Sequence, residues 1–436
     1  MSSPLKKTLT PLMLWGLGVG YVISGMYFGW NLGLKEGGTL GMAIATFFVI
    51  VMYVAFSFSY SELACAIPKA GGAFDYANRA LGTNWGFIAG LVQVIEFVFA
   101  PPAIALGIGA YFHLLFPEVP VIAFAIGAYL VFTTLNIYGV KAAASFEFFV
   151  TLIALAGLFL FASVAFPHFD SENIQRNVYP NGWIGTFAAL PFAVWFFLGI
   201  EGVANVAEET INPQKDITKG FGSAILTLVI VCIVTFVFSI GVGGWEVIVF
   251  DVSGETSDSP LPLAMKKITG EQSWIYKSLI AMGTFGLIAS FHGLLLSAGR
   301  ATFEMGRINY APAFLGKIHP VFQTPYTALL FNMCIGIVIL FTGKTAEIIT
   351  ISVFGALMLY IISMVSLLVF RKKEPYALRP FKVPFFPYTP ILALGIAVVA
   401  LISMICYNWS LALMFFILVL MAFVLFRIFV RVEDKL

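Results

Sequence analysis

The chain has 436 residues, of which 60% are hydrophobic and only 11% charged, where soluble domains carry roughly 25% charged residues. At a mean hydropathy of +0.96 it holds more apolar surface than one water-bathed core can hide, and a bilayer is the solvent that accepts it. A net charge of +2, with no basic tract interleaved with aromatics, excludes nucleic acid as a partner; the expected partner is the lipid bilayer.

In chain order, Met1 to Thr10 carries Lys6 and Lys7 and is too short for a cleavable signal. The apolar run after it is too long for a signal core, so it reads as a retained first membrane helix. A window of roughly 20 apolar residues predicts spans over 11–34, 39–66, 84–116, 119–139, 144–166, 183–211, 219–243, 273–306, 325–342, 345–370, 388–407 and 409–430. The expected fold is therefore all-α and integral to the membrane, a single domain over 1–436 with about twelve transmembrane helices. The loops 167–182 and 244–272 are long, and the second is expected to carry a short interfacial helix. Cys65, Cys232, Cys334 and Cys406 lie in or beside apolar runs and read as small core residues. No metal site and no cofactor is expected.

An even helix count puts both termini on one face. Assigning that face to the cytoplasm gathers most of the basic residues inside, among them Lys6, Lys7, Lys69, Arg79, Lys141, Lys215, Lys219, Arg300, Arg371, Lys372, Lys373, Arg427, Arg431 and Lys435. Lys35, Arg176, Lys266, Lys267, Lys277 and Lys344 remain outside.

Two spans carry glycine clusters. Span 1 reads Gly16-Leu-Gly18-Val-Gly20-Tyr21-Val-Ile-Ser24-Gly25-Met26-Tyr27-Phe28-Gly29-Trp30-Asn31, and span 6 reads Trp195-Phe-Phe-Leu198-Gly199-Ile-Glu201-Gly202. Gly16/Gly20 and Gly25/Gly29 also fit the small-residue spacing of close helix packing. Unwound backbone at membrane depth survives only beside a cavity, and Glu201 between two glycines favours a break. Interrupted helices at positions 1 and 6 point to an inverted-repeat transporter. The repeats would cover 11–166 and 183–370, with 388–430 appended, and freed backbone around Ser24, Gly25, Leu198 and Gly199 would face a central substrate site. Enzyme motifs such as HExxH, GxSxG or a phosphate-binding glycine loop are missing.

Three titratable residues lie deep in spans. Glu96 falls in the middle of span 3, Glu201 in span 6 and His292 in span 8. A carboxylate at mid-bilayer costs several kcal/mol and is a functional candidate by default.

Several stretches resemble the amino acid–polyamine–organocation superfamily: Tyr60-Ser-Glu62-Leu-Ala; Pro68-Lys69-Ala70-Gly71-Gly72-Ala73-Phe74-Asp75-Tyr76; Asn136-Ile-Tyr-Gly139-Val140-Lys141; Ala207-Glu208-Glu209-Thr210-Ile-Asn212-Pro213; and Ser297-Ala-Gly299-Arg300. The resemblance implies a five-plus-five inverted-repeat (LeuT-like) fold, broken helices 1 and 6, and secondary transport by alternating access. Within that superfamily, Ser24–Asn31 and Glu96-Phe-Val-Phe-Ala100-Pro101-Pro102 are similar to bacterial ethanolamine permeases. The resemblance implies uptake of ethanolamine across a bacterial cytoplasmic membrane, with an amino-acid permease as the alternative.

Ethanolamine is a cation without its own carboxylate, so a buried site must supply an anion, and Glu96 is the expected one. Trp195 is expected to act as an aromatic lid. Tyr27, Phe28 and Trp30 would complete a cage around the ammonium, and Ser24 and Asn31 would meet the hydroxyl. Glu201 is expected toward the outer pathway, in gating or proton sensing, and His292 in a proton relay. Glu62, Lys69, Asp75, Arg79, Glu208, Glu209, Lys215, Asp216 and Arg300 are grouped as an inner gate. The lysine with which many superfamily members brace helix 1 from helix 5 is Ala154 here. Proton coupling, sodium coupling and exchange all stay open.

Overall fold

The computed structural model describes residues 7–69, 71–138 and 143–429. Met1 to Lys6, Ala70, Gly139-Val140-Lys141, Arg431 and Lys435 lie outside the described residues. Among the described residues, ten helices are long and apolar enough to cross a membrane, and two shorter apolar helices join them.

Twelve crossing segments are numbered in chain order: α1 (Pro11–Val22), α2 (Leu32–Ala66), α3 (Thr83–Leu115), α4 (Val121–Tyr138), α5 (Ala143–Ala165), α6 (Leu190–Trp195), α7 (Pro213–Gly241), α8 (Trp274–Arg307), α9 (Tyr326–Leu340), α10 (Thr345–Lys373), α11 (Tyr388–Tyr407) and α12 (Trp409–Phe429). Local chemistry sets their starts. Thr10 Oγ1 accepts from the Met13 amide, with Pro11 in the first turn of α1. Ser273 caps the Ile275 and Tyr276 amides of α8.

Both expected breaks are present, and both are narrower than the glycine clusters. Helix 1 is α1, a one-turn helix Ser24–Tyr27, an irregular stretch over 28–31, and a helical stub that runs into α2. Gly38, at φ +62° and against Pro180, makes the kink that separates the stub from the second crossing. Helix 6 is Gly182–Ala188 followed by α6, a break over 196–199, and a 3-10 segment Ile200–Glu209. Gly199 sits at φ +97°, a region that disfavours any residue with a Cβ. Gly16, Gly18 and Gly20 lie inside regular helix and serve close packing instead: side-chain atoms of Phe148, of Ala224 and Val203, and of Glu147 fill the space where their Cβ atoms would be.

The fold is the five-plus-five inverted-repeat architecture with interrupted helices 1 and 6 and two further helices, α11 and α12. The apolar stretch of helix 6 is 100% buried, those of α3, α8 and α10 are 83%, 78% and 72% buried, and that of α12 only 17%. The first four therefore form the centre, while Phe149, Phe159, Val338 and Ile428 point outward into the expected lipid. The loop 244–272 carries two short helices, Trp245–Val249 and Pro260–Thr269. The segment Ala73–Leu81 after α2 is also helical, which the apolar windows do not predict.

On the face of the termini, a buried clasp ties α2 to α10. Glu62 is fully buried and accepts two hydrogen bonds from Arg371, at 2.7 and 2.6 Å, and one from the Val383 amide at 2.7 Å. Bidentate, fully hydrogen-bonded geometry is what offsets the desolvation cost of a buried ion pair.

Candidate functional site

The two breaks meet at the centre of the molecule. A Cβ on Gly25 would come within 2.6 Å of the Trp195 carbonyl oxygen, so glycine alone allows the backbones of helices 1 and 6 to touch there. The Trp195 indole Nε1 donates to the Phe28 carbonyl at 3.1 Å, and its ring stands edge-on to Phe28, 5.6 Å between centroids. Ile349 of α10 closes on Gly29 beside the same indole.

Further along α10, Ser352 Oγ donates to the Glu96 carbonyl at 2.9 Å, and Gly355 lies against the Glu96 backbone. The Glu96 carboxyl is fully buried; among the described residues no N–H or hydroxyl donates to its oxygens, and its one hydrogen-bonding neighbour is another carboxyl. Its neighbour is the carboxyl of Glu201, also fully buried. Tyr360 donates to Glu201 Oε2 at 3.0 Å, and its hydroxyl lies 3.0 Å from that of Tyr53 on α2. From Ile349 to Tyr360 a helix rises roughly 16 Å. Along that wall the order is Trp195 with Phe28, then Glu96, then Glu201 with Tyr360 and Tyr53. Glu201 thus lies beside Glu96, on the side nearer the termini, rather than toward the outer pathway as expected. The reason is its place after the break at 196–199, on the half of helix 6 that runs on to Glu209 at the face of the termini.

Glu96, Glu201, Trp195, Phe28, Gly25, Leu198 and Gly199 are thus placed on or beside the crossing of the breaks. Other expected members point elsewhere. Tyr27 directs its hydroxyl to the Ala154 carbonyl of α5, at 2.6 Å, and packs against Gly283 and Gly286 of α8. Trp30 stacks on Phe196 and leans on Phe236 of α7. Tyr27, Phe28 and Trp30 therefore face three different neighbours and form no common cage. The Asn31 amide donates to the Ile248 and Ser257 carbonyls of the long loop, at 3.1 and 2.8 Å, and its oxygen accepts from Gly29 N. It fastens that loop to helix 1 rather than meeting a substrate hydroxyl. The Ser24 amide donates to Ser290 Oγ of α8 at 2.9 Å.

His292 has a partner that sequence reasoning did not single out. Its Nδ1 lies 3.2 Å from Glu147 Oε2 on α5. Glu147 stands early in its span, next to the basic junction, where a charge in the sequence reads as an interfacial residue. Tyr360 and Tyr53 were missed as well, because tyrosine in an apolar run is compatible with ordinary packing.

The expected inner gate divides into separate pairs. Glu209 meets Arg300 at 2.6 Å and Lys69 meets Asp75 at 3.7 Å. Arg79 meets Glu374 at 2.6 Å, and its guanidinium hydrogen bonds hold the Glu374 carboxyl below the usual range. Glu62 belongs to the clasp with Arg371. A cavity of about 410 Å³ opens on this face, lined by Lys69, Asp75, Asn78, Glu208, Glu304 and Arg307 among others, and burial pushes the Asp75 carboxyl up against the pull of Lys69.

Residues 13–435 match the Amino acid permease family. The chain is 30% identical to an uncharacterized transporter of Rhizobium meliloti (strain 1021) over 89% of this chain and 85% of that protein. It is 25% identical to a branched-chain amino acid permease of Bacillus subtilis (strain 168), covering 99% and 95% of the two chains. It is 26% identical to a methylthioribose transporter of the same organism, covering 94% and 90%. The match spans both broken helices and the buried acids between them. The chain therefore belongs to the amino acid permease family, a family of membrane transporters and not of enzymes.

Proposed function

We propose that this permease carries a small primary ammonium compound, ethanolamine, through the site between helices 1, 3, 6 and 10. The observation that carries the reading is the buried Glu96 carboxyl, which no N–H or hydroxyl of the described residues reaches, within hydrogen-bonding reach of a second carboxyl. Two acids at close range in a buried site repel one another once both are ionised. An ammonium group brings one positive charge and three N–H donors, enough to satisfy both oxygens of Glu96 and to reach Glu201.

Backbone donors at the break favour an amine over a zwitterion. The Ser24 amide is engaged by Ser290, the Gly29 amide by Asn31 and the Phe28 amide by the Ser24 carbonyl. A substrate carboxylate would have to compete for these groups. The runner-up is a small neutral or cationic amino acid, supported by the names of the relatives.

In this reading the chain is a single domain with repeats over 11–166 and 183–370 and an appendage over 388–430. It lies in a bacterial cytoplasmic membrane with both termini inside. Trp195 closes the site toward the long loops, and Glu201 and His292 take part in gating or proton coupling.

The test is uptake of labelled ethanolamine into liposomes bearing the purified protein, with unlabelled amines and amino acids as competitors. Saturable uptake that amino acids do not inhibit is expected. Glu96→Gln should weaken ethanolamine binding by about 100-fold or more, since leaving a buried charge unpaired costs about 3–5 kcal/mol. Uptake of amino acids without ethanolamine, or unchanged ethanolamine affinity in Glu96→Gln, would overturn the assignment.

A further inference from the structure

On the face of the termini, the loop 374–387 joins α10 to α11, and its backbone is held far more firmly than its side chains are covered. Two arginines fold it from within. Arg379 donates to the Glu374, Pro375 and Ala377 carbonyls, at 2.5, 3.1 and 3.1 Å, and lies over the Phe370 ring, 4.9 Å from its centroid. Arg371 lies 3.8 Å over the Phe386 ring while it donates to Glu62, and Glu62 also accepts from the Val383 amide. The loop is thus pinned to α2 through one buried carboxylate.

Its bulky apolar side chains do not turn into this framework. Tyr376 is 99% exposed, Leu378 74% and Phe385 83%. A loop free to collapse would cover such groups, whereas a pinned one holds them out, and exposed apolar surface of this kind marks a contact with something else.

Lysines stand among them. From Arg371 to Tyr388 the chain has five basic residues and one acidic residue, Glu374. Glu374 is taken by Arg79, and Arg371 and Arg379 are engaged inside the loop. Lys372, Lys373 and Lys382 are exposed, and none of them meets a carboxylate among the described residues. Three uncompensated positive charges therefore lie in the same short segment as three large exposed apolar side chains.

The place of the loop selects the partner. Lys373 is the last residue of α10 and Tyr388 the first of α11, and both helices cross the membrane. Pinned to α2 between two crossings, the loop stays beside the headgroup layer. Aromatic rings and lysine stems at that depth bury their apolar parts and leave their polar ends among the headgroups. Lysines without protein partners favour headgroups that carry net negative charge.

We propose that the end of α10 and the loop 374–387 form a binding platform for anionic phospholipid headgroups of phosphatidylglycerol type, in the leaflet on the side of the termini. Lys372, Lys373 and Lys382 meet the phosphates, and Tyr376, Leu378 and Phe385 enter the boundary with the acyl chains. Bound lipid holds the loop down, and through Glu62 it secures α2 to α10. The inference rests on the membrane placement of α10 and α11 and not on the identity of the cargo.

The test is hydrogen–deuterium exchange of the full-length protein in nanodiscs, of phosphatidylcholine alone and of phosphatidylcholine with phosphatidylglycerol in equal parts. Protection of 374–387 should rise by about tenfold or more with the anionic lipid, and the rise should shrink at high salt. The triple variant Lys372→Gln, Lys373→Gln, Lys382→Gln should lose the rise while α3 keeps wild-type protection. A matched triple variant on the opposite face, at the exposed Lys35, Lys267 and Lys277, each changed to Gln, should keep it. No rise in the wild type would overturn the proposal. So would a rise that survives in the first variant, an equal loss in both variants, or the same rise produced by inorganic phosphate in phosphatidylcholine discs. None of these readings involves transport, so failure of the ethanolamine assignment and failure of the lipid platform are seen separately.

Discussion

Tyr360 fixes the acid pair in place from α10. Its hydroxyl donates to Glu201 and meets Tyr53, so one side chain links helices 2, 6 and 10 through their polar groups. Tyr360→Phe keeps the ring packing and removes both contacts. A hydrogen bond to a charged group contributes about 1.5–3 kcal/mol, so the thermal unfolding midpoint should fall by a few degrees and uptake kcat/KM by about 10- to 100-fold. Equal activity in the phenylalanine variant would make Tyr360 a packing residue. At this scale the sequence is uneven. Glu96 and Glu201 stand out because a carboxylate in an apolar window has a solvation cost that needs an explanation. Their adjacency, the alignment of Tyr360 and the partnership of Glu147 with His292 all depend on which helices meet, and no spacing within one helix encodes that.

Among the elements, the crossing of helices 1 and 6 is the tightest constraint. Gly25→Val would drive methyl groups into the Trp195 carbonyl, a backbone atom that cannot swing aside as a side chain does. Overpacking of this kind costs about 1–3 kcal/mol. The variant should unfold several degrees lower and lose uptake, whereas Gly222→Ala, which meets open space on α7, should leave both unchanged. The twelve crossings were legible because hydrophobicity summed over a window does not depend on how helices pack. The breaks were legible only as neighbourhoods. Gly199 marks its break because a left-handed backbone demands glycine, but Gly16, Gly18 and Gly20 look the same in sequence and serve contact. Ala73–Leu81 escaped because it is polar on one face and lies between spans.

For the whole molecule, the loop 244–272 is a strap across the face opposite the termini. Asn31 binds its Ser257 carbonyl, and Thr345 Oγ1 donates to Asp258 Oδ2 at 2.7 Å. Burial pushes the Asp258 carboxyl up to about 6, against the pull of the Thr345 hydroxyl. With its folded value raised from 3.8, the gain from a neutral Asp258 is full below about pH 4 and is lost as pH rises to about 6. Protection of the Asp258 segment against hydrogen exchange should therefore fall between about pH 4 and pH 6 and level off above, and Asp258→Asn should hold it constant. On the opposite face, the chain after Gly199 is coiled as a 3-10 helix over Ile200–Glu209. Its first turn holds Glu201 against Tyr360, and its last residue is tied to Arg300 and to the Thr8 and Leu9 amides. A kink at Val206 (φ −106°, ψ 15°) divides it into two pieces, in each of which a residue rises about 2.0 Å against the 1.5 Å of an α-helix. Rewinding either piece as α-helix would shorten the link between Glu201 and Glu209 by about 0.5 Å per residue. The segment is in effect a jointed tie rod whose length is set by backbone torsions, anchored at one end by the buried carboxyl of Glu201 and at the other by the Glu209–Arg300 ion pair.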